Sequence, residues 1–148
     1  MINQVNQIFL CSFLFLSLFP VSFAQPASHW VSYPSANQTA YGVYHFRKSF
    51  ELDKVPDKMV IHVSADNRYN LFVNGKRVCY GPAKGDLKTY KYDIIDIAPF
   101  LHIGENLLAA LVFNGGDDKP MAFISVQTAF MLRVENSNFS ELNTNSNW

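Results

Sequence analysis

From Tyr41 onward, apolar and polar residues alternate in short runs broken by turn residues at intervals of roughly eight to twelve positions, and helical periodicity nowhere outlasts about two turns. This is the pattern of half-buried β-strands. Tyr44, Phe46, Phe50 and Leu52 fall on one face of a first strand, and His45, Arg47, Ser49 and Glu51 on the other, with Lys48 the exception on the apolar side. Pro56-Asp57-Lys58 turns the chain, after which Met59, Ile61, Val63 and Ala65 alternate with Val60, His62 and Ser64 in a second strand.

The clearest local signal is Arg68 to Tyr80, where Asn74-Gly75 supplies the two positive φ angles of a type I′ hairpin turn. Counting outward from that loop pairs Val73 with Lys76, Phe72 with Arg77, Leu71 with Val78, Asn70 with Cys79 and Tyr69 with Tyr80. Leu71, Val78, Tyr69 and Tyr80 then share the buried face. Gly81-Pro82-Ala83-Lys84-Gly85-Asp86 reads as a long loop, Thr89 to Ile97 as a strand, and Ala98-Pro99-Phe100-Leu101 as a single helical turn. The apolar run Leu107 to Phe113 is short enough for a central strand covered on both faces. After the polar loop Asn114 to Pro120, residues Ala122 to Glu135 alternate as one long strand. The total of about eight strands fits an all-β antiparallel sandwich of the jelly-roll kind. Residues 137–148 shift abruptly to Asn and Ser and read as a linker or truncated boundary, which leaves 25–136 as the sandwich.

The first 24 residues contain no Lys, Arg, Asp or Glu and centre on an apolar block from Ile8 to Phe19. The block is too short to span a bilayer comfortably and ends in Val21-Ser22-Phe23-Ala24, with small residues where a leader is cut. The expectation is a signal peptide cleaved after Ala24 and a secreted or periplasmic product with no membrane attachment. An uncleaved amino-terminal anchor is the alternative. Beyond the leader one cysteine is left, Cys79, so no intramolecular disulfide can form and the domain must rely on its hydrophobic core. Cys79 sits in an apolar stretch and reads as a buried, inert thiol.

The chain has 148 residues, enough for one modest domain, and its 12 basic residues balance 12 acidic ones without a basic run, which argues against a nucleic-acid partner. Hydrolysis of a glycoside needs two carboxylates about 5–9.5 Å apart across a cleft. The acidic residues here include two close pairs, Asp93 with Asp96 and Asp117 with Asp118, and the second pair sits in a Gly-rich turn suited to solvated loop carboxylates. His29, His45, His62 and His102 have none of the short spacings of a zinc site. No nucleophile elbow, Walker loop or dinucleotide fingerprint is present. No catalytic residue, metal ligand or cofactor is assigned, with a structural calcium held by loop oxygens left open. Loop chemistry makes Tyr90, Asp117 and Asp118 the candidate ligand-binding residues.

Several segments together resemble the amino-terminal β-sandwich domain of bacterial α-L-rhamnosidases. They are Tyr44-His45-Phe46-Arg47-Lys48-Ser49-Phe50, Ser64 through Gly75, Tyr80-Gly81-Pro82-Ala83-Lys84-Gly85-Asp86-Leu87, Tyr92 through Leu101, and Gly104-Glu105-Asn106-Leu107-Leu108-Ala109. A Val-Asn-Gly hairpin followed by Gly-x-Asn is also similar to the sugar-binding-type sandwich of β-galactosidase-like enzymes; the Gly-Pro-Ala-Lys-Gly-Asp-Leu stretch favours the rhamnosidase side. The resemblance implies a galactose-binding-like fold and a non-catalytic accessory role. The reacting carboxylates of that family sit in a separate (α/α) barrel domain, which would be this domain's partner, with carbohydrate as a further partner. An independent secreted carbohydrate-binding module is the alternative.

Overall fold

The computed structural model describes residues 27–34 and 39–148, so the expected leader lies outside the described residues. It is an all-β antiparallel sandwich with seven strands among the described residues: β1 (Gly42–Leu52), β2 (Val60–Asp66), β3 (Arg68–Val73), β4 (Lys76–Gly81), β5 (Asp93–Asp96), β6 (Gly104–Asn114) and β7 (Ala129–Val134). One sheet has the order β1-β6-β3-β4 and the other β5-β2-β7. The alternation read from the sequence decides which side chains meet between them. Phe46, Phe50 and Leu52 of β1, Ile61, Val63 and Ala65 of β2, and Tyr69, Leu71 and Val73 of β3 are all buried in one core. Phe130 of β7 is its pivot, stacked on Phe46 at 5.5 Å between ring centroids and edge-on to Tyr69 at 6.5 Å.

The Asn74-Gly75 turn forms as expected, with φ of 51° and 78°. Val73 faces Lys76 and Phe72 faces Arg77, but a bulge then shifts the pairing to Leu71 with Cys79, Asn70 with Tyr80 and Tyr69 with Gly81. The extra residue in β4 reverses the expected facing of everything beyond it. Tyr80 points outward, 67% exposed, and Cys79 is half-buried, its Sγ 3.6 Å from the Tyr69 hydroxyl. Gly81 then lies opposite Tyr69, where a side chain would collide with the Asp93 carboxylate.

Three expected elements are also revised. β6 is central, between β1 and β3, yet Leu107, Leu111 and Phe113 on its outer side are only half-buried, because no third layer among the described residues covers that face. The last strand is short, Ala129–Val134, since the N–H groups of Val126 and Gln127 bond to the Asp66 carboxylate instead of a neighbouring strand. The strand expected over Thr89 to Ile97 shrinks to Asp93–Asp96, and Asp86 instead folds its loop back, accepting the N–H groups of Lys88 and Thr89.

The Asn-rich tail is packed, contrary to the linker expectation. Ser137–Leu142 forms 3₁₀ turns, and Leu142, Asn143 and Thr144 are buried. β7 would otherwise be an open edge. Asn143 Oδ1 accepts the Val134 N–H, Thr144 exchanges bonds with Leu132, and Val31 bridges to Phe130 farther along β7. Side-chain amides and hydroxyls thus do work that the composition alone assigns to a solvated linker.

Candidate functional site

The candidate surface is organised from the junction of β2 and β3. Asp66 ends β2 with a side chain only 2% exposed. Its Oδ1 accepts the Asn67 side-chain amide at 2.9 Å, and its Oδ2 accepts Val126 N at 2.7 Å, Gln127 N at 3.1 Å and the Tyr90 hydroxyl at 2.9 Å. Asn67 adds a bond to Ile124 O at 3.1 Å and accepts Gly115 N at 3.3 Å. On the far side of the same loop, Asn114 holds Ser125 and Thr128. A buried carboxylate needs its oxygens satisfied, and here that need anchors residues 124–128 to the sandwich.

Above this hub lies an open groove of about 350 Å³, lined by Trp30, Asp66, Leu87, Tyr90, Val126, Gln127 and Ala129. Trp30 and Tyr90 meet edge to face at 5.3 Å, and Trp30 is 42% exposed. Burial, reinforced by the bond to Asp66, pushes the Tyr90 phenol up to about 12. On its other side Trp30 walls a second, wider depression of about 670 Å³ with His29, Ser32, Pro34, Asn145, Ser146 and Trp148. A third cavity, of about 30 Å³, room for a water or two, lies between Asn67, Arg68, the Pro82–Asp86 loop and Phe123. Arg68 donates to Pro82 O at 3.0 Å and, with Lys84, places a cation over the Phe123 ring. The Gly-Pro-Ala-Lys-Gly-Asp stretch is thereby pinned beside the groove.

Of the three candidates read from the sequence, the structure brings Tyr90 into the groove. Asp117 and Asp118 lie on a separate 3₁₀ turn, Gly116–Asp118, that contributes nothing to its lining. Among the described residues no group of three or more His, Cys, Asp or Glu side chains is placed to hold a metal ion. The sequence reading missed Trp30, Leu87, Val126, Gln127 and Asp66. Only Asp66 left a signal, as the start of the polar break Asp66-Asn67-Arg68 between two apolar runs.

At the opposite end of β3, the Val-Asn-Gly and Gly-x-Asn motifs meet. Asn74 Nδ2 donates to Phe100 O and to Asn106 Oδ1, both at 2.9 Å, while Asn74 Oδ1 accepts Leu107 N. Asn106 Nδ2 donates to His102 O and Gly104 O, and its Oδ1 accepts His102 N. These asparagines form a closed clamp around the two turns, which makes the motif structural in this chain.

The fold defines the chain as an all-β antiparallel sandwich, and comparison with solved structures shows where similar sandwiches occur. The chain is similar to a GH78 family rhamnosidase of Bacillus sp. GL1, at 29% identity and a TM-score of 0.66, covering 74% of this chain and 12% of that one. It is similar in fold to the α-L-rhamnosidase of Streptomyces avermitilis, solved in complex with L-rhamnose, at 21% identity and a TM-score of 0.52, over 72% of this chain and 10% of that one. The α-L-rhamnosidase of Dictyoglumus thermophilum matches at 20% identity and a TM-score of 0.57, over 72% of this chain and 14% of that one. No family model and no curated protein matches the chain. The chain therefore corresponds to a small part of much longer glycosidases, and its fold is that of a glycosidase-associated domain.

Proposed function

We propose that this chain is a non-catalytic accessory β-sandwich of a secreted α-L-rhamnosidase-type glycoside hydrolase acting on rhamnose-containing glycans, and that its partner is the catalytic (α/α) barrel. The carrying observation is the 29% identity over 74% of this chain to a rhamnosidase of which it covers only 12%. Three acids, Asp66 buried and Asp93 and Asp96 half-buried, support the same reading, since each is bonded within the fold. Asp93 accepts the Tyr69 hydroxyl at 2.6 Å, Asp96 accepts the N–H groups of Met59 and Ala98, and Asp66 holds the loop. None is left as the acid or base of a glycosidase pair.

The test has two parts. The purified chain is expected to leave an aryl α-L-rhamnoside intact, and to co-elute in gel filtration with a rhamnosidase barrel produced without its own sandwich. Turnover that disappears on changing one Asp or Glu of this chain would refute the proposal. The aromatic groove favours a second reading, an independent carbohydrate-binding module, for which sugar binding without barrel association is the expected result.

A further inference from the structure

The outer face of the four-stranded sheet carries a pattern of charge that the fold itself does not use. Residues directly opposite each other in antiparallel strands share a face, so Arg47 of β1, Ala109 of β6, Phe72 of β3 and Arg77 of β4 form one row across all four strands. Leu107, Leu111 and Phe113 share the face of Ala109 at alternate positions, and Val43 lies opposite Phe113. Together with Phe72 they make an apolar track along β6, half-buried for most of its length, with an exposed arginine on either side of its middle. Among the described residues neither guanidinium has a carboxylate partner. At the Gly104 end of the track Glu51 and Glu105 stand directly opposite each other, both exposed, a like-charge pair that repels.

We propose that this face docks one amphipathic α-helix of the catalytic barrel, its apolar stripe on the β6 track and Asp or Glu side chains on both its flanks reaching Arg47 and Arg77, with its N-terminus at the Glu51–Glu105 end. Width decides for a helix. Three strand spacings set the two arginine backbones about 14 Å apart, and a helix with its side chains is about 10–12 Å across. It fits between the guanidiniums and leaves both at a wet rim, where acidic flanks can meet them. A flat sheet would lie across the whole row and bury both charges, at a desolvation cost that only well-placed acids could offset. A second copy of this chain centred on the same row would set arginine against arginine. The direction follows from the glutamates, because the positive end of a helix dipole relieves their repulsion and the negative end would add to it. This deepens the accessory-domain reading and rests on it for the barrel.

Calorimetric titration of the full chain into the rhamnosidase barrel produced without its own sandwich tests it. Arg47→Glu and Arg77→Glu should each weaken binding at least about tenfold, with thermal unfolding recorded to show that the fold is kept. Lys91→Glu makes the same change of charge on an exposed residue whose carbonyl accepts the Ser64 hydroxyl of β2, in the other sheet, and should cost less than about twofold. Glu105→Lys should weaken binding about threefold, and a gain instead overturns the stated helix direction. A second measurement needs no variant: phenylglyoxal modification, read by mass spectrometry, should slow at least about fivefold at Arg47 and Arg77 when the barrel is bound. Unchanged affinity in both arginine variants, an equal loss in Lys91→Glu, or unchanged arginine reactivity in the complex overturns the proposal. A chain that joins the barrel with any of these results loses this inference and retains the accessory-domain reading, whereas a chain that does not join it loses both.

Discussion

The two ends of β3 use one chemistry for opposite purposes. At the Asn74 end, two carboxamides, Asn106 buried and Asn74 half-buried, satisfy each other and the backbone of two neighbouring turns. At the Asp66 end, a buried carboxylate collects donors from a distant loop and from Tyr90, and the surface above it opens into a groove. The difference lies in where the partners come from. Asn74 and Asn106 join two short turns 26 to 33 positions apart, whereas Asp66 takes Tyr90 from 24 positions away and the backbone of a long loop from 60 and 61 positions away. A clamp on local turns makes a rigid corner; a clamp on a long loop shapes a site.

The comparison is open to breaking. Asp66→Ala should have the largest effect, about 3–5 kcal/mol of lost stability, because it leaves several donors without their acceptor. Amide exchange at Val126 and Gln127 should then accelerate well beyond the global loss, and the groove should collapse. Asn106→Ala is expected to cost about 2–4 kcal/mol by the same reasoning, yet leave the exchange pattern of residues 124–128 unchanged relative to global unfolding. Equal local effects from both variants would show that the two ends are not independent.

Alkaline unfolding probes the Asp66 end and the core together. Burial, then the bond to Asp93, raises the Tyr69 phenol far above its ordinary value of 10, and Tyr90 is raised to about 12. Below pH 10 both phenols keep their protons folded or unfolded, so stability is at its full value. Above pH 10 the unfolded phenols ionise while the native ones resist. Stability should fall by about 1.4 kcal/mol per pH unit for the fully buried Tyr69. Tyr90 should add to the slope only until the pH reaches about 12, where it ionises in the folded chain as well. Tyr69→Phe should flatten most of this decline, as followed by denaturant midpoints between pH 9 and 12. The smallest effect is expected from Tyr90→Phe, about 1 kcal/mol, which removes the hydroxyl bond to Asp66 but keeps the ring against Trp30.

Much of the fold was legible because strand periodicity and turn chemistry are local. Val-Asn-Gly announced its turn since only a few residue types accept two positive φ angles in succession. The alternation in β1 and β2 named core residues without reference to any partner. The β4 bulge was not legible: one inserted residue sent Tyr80 outward, and nothing in Val78-Cys79-Tyr80 marks it. The tail was misread for a related reason. Asn143 and Thr144 look like linker residues until the open edge of β7 is there to receive them. Of the groove, Tyr90 could be picked out from its loop, but Trp30 stands about sixty residues away with no periodic pattern around it.

The amino-acid sequence by itself determined an all-β sandwich, its hairpin turn and most of its inward faces, since these depend on side-chain alternation and on which residues tolerate tight turns. The tertiary structure alone decided the register beyond the bulge, the packing of the tail and the meeting of Trp30 with Tyr90. Those outcomes depend on contacts between residues far apart in the chain, where the free energy of a pairing is set by what the rest of the molecule brings opposite it.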